Sequence, residues 1–190
     1  LFWTCFRGYS RVHDGFAYRL QAQMLLEGRW AMPAHPLPEF FDAFHVLSQP
    51  VYMSKYYPGY ALVLAPFEAL GAAWLAPPLL AGAFVVVAAW GVRPLTSRRG
   101  ARLVAWAIAG SPFLLVLSRT YVASALSGLA AWAGVGALLR VWQGAAGPRR
   151  GPTRARWLWL AGGCACLTTV TRPIDTLVVA LPLGVWGLVR

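Results

Sequence analysis

Apolar residues run through this chain in long blocks separated by short polar connections, and several blocks are long enough to read as membrane crossings. Ala73–Val92, Leu103–Ser118, Tyr121–Leu139, Trp157–Thr171 and Ile174–Val189 each carry at most one charged residue, which predicts five transmembrane helices within residues 73–190. Trp106, Trp142 and Trp157 stand near the ends of these blocks, where interfacial aromatic belts form. Pro77, Pro78 and Pro182 do not break the pattern, because neighbouring helices re-satisfy freed backbone groups inside a bilayer. Leu1–Phe6 covers only about 9 Å at helical rise and is expected to be the end of a truncated first transmembrane helix, so the chain reads as a fragment.

The region between, residues 7–72, has a different texture. Within it Asp14–Glu27 has helical periodicity, with Phe16, Ala17, Leu20, Met24 and Leu25 on one side and Arg19, Gln23 and Glu27 off it, and Gly28 is the expected stop. Such a helix is expected to lie along the membrane surface with its apolar stripe down. Pro33, Pro36 and Pro38 then predict an extended loop through Phe40-Phe41 to Lys55. A second short helix, 59–71, opens at Tyr57-Pro58-Gly59, closes at Gly71 and carries Glu68; it is too short to cross and reads as interfacial or re-entrant. No internal repeat is visible. The expected fold class is all-α: a polytopic membrane helix bundle with juxtamembrane helices in a large first outer loop.

Charge orients this arrangement. The 190 residues hold 17 basic and 6 acidic side chains, a net charge of +11, with 58% hydrophobic residues and a mean hydropathy of +0.55. On a soluble protein that charge would point to nucleic acid, but here it sits in connections between apolar runs. Arg93, Arg98, Arg99 and Arg102 fill one connection, and Arg140, Arg149, Arg150, Arg154 and Arg156 surround another two crossings later, so both are expected to be cytoplasmic. Residues 7–72 and the connections at Arg119 and Arg172 then face the other side. Cys5, Cys164 and Cys166 form neither a disulfide framework nor a four-ligand metal site and read as small packing residues.

Candidate chemistry lies on that outer side. Asp14 begins a helix at the water–lipid boundary and reads either as a general base for an incoming hydroxyl or as a helix N-cap serving Phe16 or Ala17. His13 beside it either tunes the acid or is an exposed loop histidine. Lys55, the single lysine, either binds a phosphate as a point charge or meets lipid headgroups. Arg119 and Arg172 sit in short connections where each could clamp an anionic group, with Asp175 at i+3 a competing partner for Arg172. There is no Gly-Lys-Ser/Thr phosphate loop, Gly-x-Ser-x-Gly elbow or His-Glu-x-x-His. His13, His35 and His45, spaced by 22 and 10 residues, form no zinc pattern.

In order along the chain, His13-Asp14-Gly15-Phe16-Ala17-Tyr18, Gln21-Ala22, Glu27-Gly28-Arg29, Ser54-Lys55-Tyr56-Tyr57-Pro58-Gly59-Tyr60, Ser111-Pro112-Phe113 and Thr171-Arg172-Pro173 resemble the N-terminal part of the GT-C membrane glycosyltransferases. That group contains the bacterial aminoarabinose transferases and protein O-mannosyltransferases. The resemblance implies an enzyme of a bacterial inner membrane that moves a sugar from a polyprenyl-phosphate carrier to a lipid, glycan or protein acceptor at the outer face. Asp14 maps onto the family's acidic residue of the first outer loop, and Lys55 onto a phosphate-binding position, with Arg172 and Arg119 as further phosphate ligands and His13, Tyr18 and Tyr57 in support. Two features depart from the family. Asp14 is followed by Gly15 rather than a second acid, which weakens any divalent-metal site, so no cofactor is expected; the turn reads Tyr57-Pro58-Gly59 rather than a double proline. The competing readings are a transporter or channel fragment and a non-catalytic membrane assembly partner. Transporters tend to place ionisable groups near the bilayer midplane, whereas here the charges gather at helix ends.

Overall fold

The computed structural model describes residues 13–145 and 152–189. The expected helix end at Leu1–Phe6, and Arg149 and Arg150, lie outside the described residues. The chain opens with α1 (His13–Leu26), which ends as its sequence predicts. Gly28 takes a φ of +72°, its N–H reaches the Leu25 carbonyl at 3.0 Å, and the Arg29 N–H reaches Met24 at 2.9 Å, closing the last turn on itself. The second short helix, α2 (Gly59–Ala69), ends in the same way at Gly71. There the Gly71 N–H meets the Glu68 carbonyl at 2.9 Å and the Ala72 N–H meets Phe67 at 2.8 Å.

The buried face of α1 differs from the expected stripe. Ala17, Tyr18, Gln21, Ala22 and Met24 face inward, while Phe16 is 51% exposed. Two polar side chains can turn inward because each finds a partner. Arg19 grips Glu68 of α2 through Nε to Oε1 (2.5 Å) and Nη2 to Oε2 (3.2 Å), and Gln21 Nε2 donates to the Trp30 carbonyl at 3.2 Å. Helix α1 therefore packs on α2, and Arg19 joins the interface instead of falling away from it. Tyr18, Ala22, Tyr60, Ala61, Leu64, Ala73, Tyr121 and Leu126 form the shared core.

The expected loop from Pro33 to Lys55 contains a three-stranded antiparallel sheet, so the fold is mostly helical rather than all-α. Its strands are β1 (Met32–Pro33), β2 (Val46–Leu47) and β3 (Val51–Ser54), with β3 central and Met32 opposite Tyr52 and Val46 opposite Ser54. Two-residue strands are too short to show period-two alternation, which explains why the sequence pattern hides them.

Downstream come α3 (Ala76–Val92), preceded by a 3₁₀ turn at Ala73–Leu75, then α4 (Arg98–Ala109), α5 (Pro112–Leu117), α6 (Ser124–Ala145), α7 (Pro152–Thr171) and α8 (Pro173–Val189). Among the described residues, two helices are long and apolar enough to cross a membrane, Ala73–Val92 and Ser124–Gln143, against the five crossings expected. The block Leu103–Ser118 is not one helix. Ser111 is extended (ψ 124°) ahead of Pro112, as a residue preceding proline tends to be, and this separates α4 from α5. Helix α4 also starts earlier than expected, in the arginine connection, where Ser97 Oγ accepts the Gly100 N–H at 3.2 Å. Its 12 residues span about 18 Å, short of a roughly 30 Å hydrocarbon core. Helix α7 carries Arg154 and Arg156 near its start, and the 17 residues of α8 sit at the lower limit for a crossing.

Helix α6 lies between α3 and α7. Glycines let the backbones approach: a Cβ on Gly136 would lie 2.7 Å from Gly91 Cα of α3, and one on Gly134 would lie 3.3 Å from Cys164 Cβ of α7. At the other end of α7, a Cβ on Gly59 would run into Thr171 Oγ1 and lie 2.7 Å from the Val170 carbonyl oxygen. That contact seats the start of α2 directly on the end of α7, beside Arg172.

Candidate functional site

Asp14 sits inside the first turn of α1, where the helix dipole favours a carboxylate. Its side chain does not cap the helix. Oδ1 lies 2.9 Å from Nε2 of His45, and the Tyr56 hydroxyl hydrogen-bonds the same carboxylate. Both partners come from the segment around β2 and β3: His45 directly precedes β2, Tyr56 follows β3, and the Lys55 N–H donates to the His45 carbonyl at 3.0 Å. The small sheet thus carries two side chains to one acid on α1.

Four rings hold this arrangement. Tyr56 lies between Tyr18 (centroids 4.6 Å apart, planes at 17°) and His45 (4.9 Å, 28°), while Tyr18 meets Tyr60 edge-on at 5.0 Å. Burial pushes the Tyr18 hydroxyl up to about 12, the Asp14 charge adds to the rise, and the Arg172 guanidinium opposes it. Tyr56 is pushed up further by burial, by its hydrogen bond to Asp14 and by that charge, again with Arg172 opposing. Both phenols therefore stay protonated, and Tyr56 serves Asp14 as a donor.

Arg172 reaches this neighbourhood from the α7–α8 corner. Its Nη1 donates to Ser124 Oγ at 2.7 Å, and its Nε lies 3.5 Å from Asp175 Oδ2, the i+3 partner foreseen in the sequence. Ser127 Oγ donates to that same Asp175 oxygen at 2.6 Å and fixes the acid. The Arg172 side chain remains 46% exposed, and an arginine so placed is a ready partner for an anion.

The other expected residues are placed elsewhere. Lys55 Nζ donates to the Phe44 carbonyl at 3.0 Å and lines an open hollow with Glu39 and Asp42, whose charges disfavour a phosphate there. Arg119 lies half-buried on the α5–α6 connection, its N–H bonded to the Val116 carbonyl at 3.0 Å, with no side-chain link to Asp14. His13 is exposed at the start of α1, and Tyr57 turns outward at 56% exposure. Tyr18 joins the site. The tyrosine of the Tyr56-Tyr57 pair that reaches Asp14 is Tyr56, which lies past the end of β3, where no periodicity singles it out. His45 carries no signal either, because its partner lies thirty-one residues away in the chain.

Asp14 and His45 offer two donors of the kind a metal uses, and among the described residues no three His, Cys, Asp or Glu side chains gather to hold one. Comparison with protein-family models, with curated proteins and with solved structures finds no match to this chain.

Proposed function

We propose that this chain is the N-terminal part of a polytopic membrane glycosyltransferase of the GT-C kind, with five crossings in residues 73–190. In this reading it moves a sugar from a polyprenyl-phosphate donor to an acceptor hydroxyl at the outer face of a bacterial inner membrane. The observation that carries the proposal is the presence of an oriented carboxylate, Asp14, and a half-exposed arginine, Arg172, both close enough to Tyr18 and Tyr56 for their charges to act on the two phenols. Base and anion ligand are the two groups that a displacement at an anomeric carbon needs.

In the proposed step the acceptor oxygen forms a bond to the anomeric carbon and passes its proton to Asp14. The bond from that carbon to the phosphate oxygen breaks, and the electron pair leaves on the phosphate, whose charge Arg172 receives. His45 and Tyr56 each occupy part of the carboxylate, which has about four acceptor directions in all, and they fix the direction of those that remain. Lys55 and Arg119 stand outside this pair.

The parent protein in proteoliposomes supplies the test, with release of polyprenyl phosphate from labelled polyprenyl-phosphate sugars as the readout. Sugar-dependent turnover is expected, reduced about a hundredfold or more in Asp14→Asn. Turnover that survives Asp14→Asn returns Asp14 to a structural clamp for the β2–β3 segment. No turnover with any donor moves the assignment to a transporter or an assembly partner.

A further inference from the structure

Arg140 lies sixteen residues along α6 from Ser124, about 24 Å at helical rise, and so at the opposite end of the helices from Asp14 and Arg172. Its guanidinium is built into the protein. Nη1 donates to the Gly136 carbonyl at 2.7 Å and Nη2 to the Trp90 carbonyl at 2.9 Å, while its plane covers the Trp90 ring at 3.7 Å and lies 5.5 Å from that of Trp157. Trp90 and Trp157 are themselves in contact at 5.9 Å, and Arg156 stacks on Trp157 at 4.7 Å. Arg93, at the end of α3, brings another positive charge within electrostatic range of Arg140. Gln143 of α6 donates to the Pro94 carbonyl, tying the same connection to the helix end. Arg98, Arg99 and Arg102 are exposed at the start of α4, and Arg154 is exposed at the start of α7.

Among the described residues no acidic side chain neutralises this end. The acidic residues are Asp14, Glu27, Glu39, Asp42, Glu68 and Asp175, so none occurs between Ala69 and Ile174. Each acid is therefore sited on the outer-loop segment or at the α7–α8 corner. Like charges gathered on a tryptophan ledge repel one another unless an anion lies among them. Next to the ledge the surface of α7 is greasy: Trp159 is 81% exposed, with Leu158 and Leu160 also outward.

We infer that the Trp90–Arg140–Trp157 ledge, with Arg93 and Arg156, is a binding site for the headgroup of an anionic phospholipid. A phosphate that carries acyl chains satisfies both surfaces at once, its charge among the arginines and its tails on the exposed apolar flank. The inference rests on the membrane reading of the chain, but not on its transferase activity.

The experiment uses the full chain reconstituted into vesicles of equal phosphatidylglycerol and phosphatidylcholine. The protein is then extracted in mild detergent and the lipid it retains is quantified by mass spectrometry. Phosphatidylglycerol is expected to be retained over phosphatidylcholine. The preference should fall about fivefold for each arginine neutralised in Arg93→Gln and Arg156→Gln, and more than tenfold in the pair. Arg98→Gln with Arg99→Gln removes the same charge at this end outside the ledge and should lower the preference less than the Arg93–Arg156 pair, and Arg29→Gln, at the other end, should change nothing. Equal retention of the two lipids by the wild type overturns the inference, as does a preference that survives Arg93→Gln with Arg156→Gln or that falls equally in the Arg98–Arg99 pair. Loss of phosphatidylglycerol to excess inorganic phosphate assigns the site to a soluble anion and overturns the lipid assignment. A chain that enters neither lipid fails the membrane reading itself, and transferase turnover is read independently of all these outcomes.

Discussion

At the scale of single residues, the most consequential position is the one at which Tyr56 joins three partners: ring faces to Tyr18 and His45, and a hydroxyl to Asp14. Proton linkage makes the environment measurable. Tyr18 titrates near 12 in the folded chain, against an ordinary value near 10. Between these two values the folded state keeps a proton that the unfolded chain has lost. The stabilisation is complete below about pH 10 and falls as the pH rises through about 12. Denaturant titrations in detergent should show stability declining across that window, with a shallower decline in Tyr18→Phe; an unchanged slope would remove Tyr18 from the buried cluster. Asp14 was legible from its place at the start of a readable helix, whereas Tyr18, left out of the expected apolar stripe, entered only through the sequence's family resemblance. The sequence offered Tyr57 in place of Tyr56, and it was silent on His45. A contact made by a segment of very short strands leaves no periodic trace.

Among the elements, α1 and α2 are joined by the Arg19–Glu68 pair, although the apolar pattern of α1 left Arg19 off its buried stripe. Glu68 is nearly buried and Arg19 largely so, and Arg19 also covers the Tyr121 ring at 5.4 Å. Removing one partner strands a charge in a poorly solvated place. Arg19→Met or Glu68→Gln alone should cost about 3 kcal/mol, whereas Arg19→Met combined with Glu68→Leu should cost less than the sum. A double-mutant cycle by chemical denaturation measures this, and strict additivity would count against the pair as a unit. Helix ends were legible at Gly28 and Gly71, since a terminal glycine with positive φ is a local signal. The split of Leu103–Ser118 was marked only by Gly110-Ser111-Pro112, a signal that a membrane reading is ready to overlook because proline is tolerated in lipid.

For the whole molecule, charge is sorted by end: arginines around Trp90 and Trp157 at one, and the paired acid and arginine of the candidate site at the other. If the helices cross a bilayer, these ends face different compartments. Single cysteines placed at Ser48 and at Thr96, in a background with Cys5, Cys164 and Cys166 replaced by Ala, should be labelled by an impermeant thiol reagent from opposite sides of sealed vesicles. Labelling of both from one side would refute the bundle topology. Hydrophobic blocks and the placement of arginines conveyed this polarity from the sequence alone, because both are properties of long segments. The order in which helices pack was not legible, since it depends on local backbone approaches such as Gly91 against Gly136.

The meeting of Gly59 with Thr171 has a mechanical consequence. Asp14 belongs to the loop-borne part of the molecule, which α2 shares, and Arg172 to the helical part, and Gly59 is one of the places where the two parts meet. A Cβ there would run into Thr171 Oγ1 and the Val170 carbonyl, so any larger residue at position 59 must push the start of α2 away from the end of α7. The missing side chain thus works as a gauge of zero thickness, setting how closely the two parts can seat at this contact.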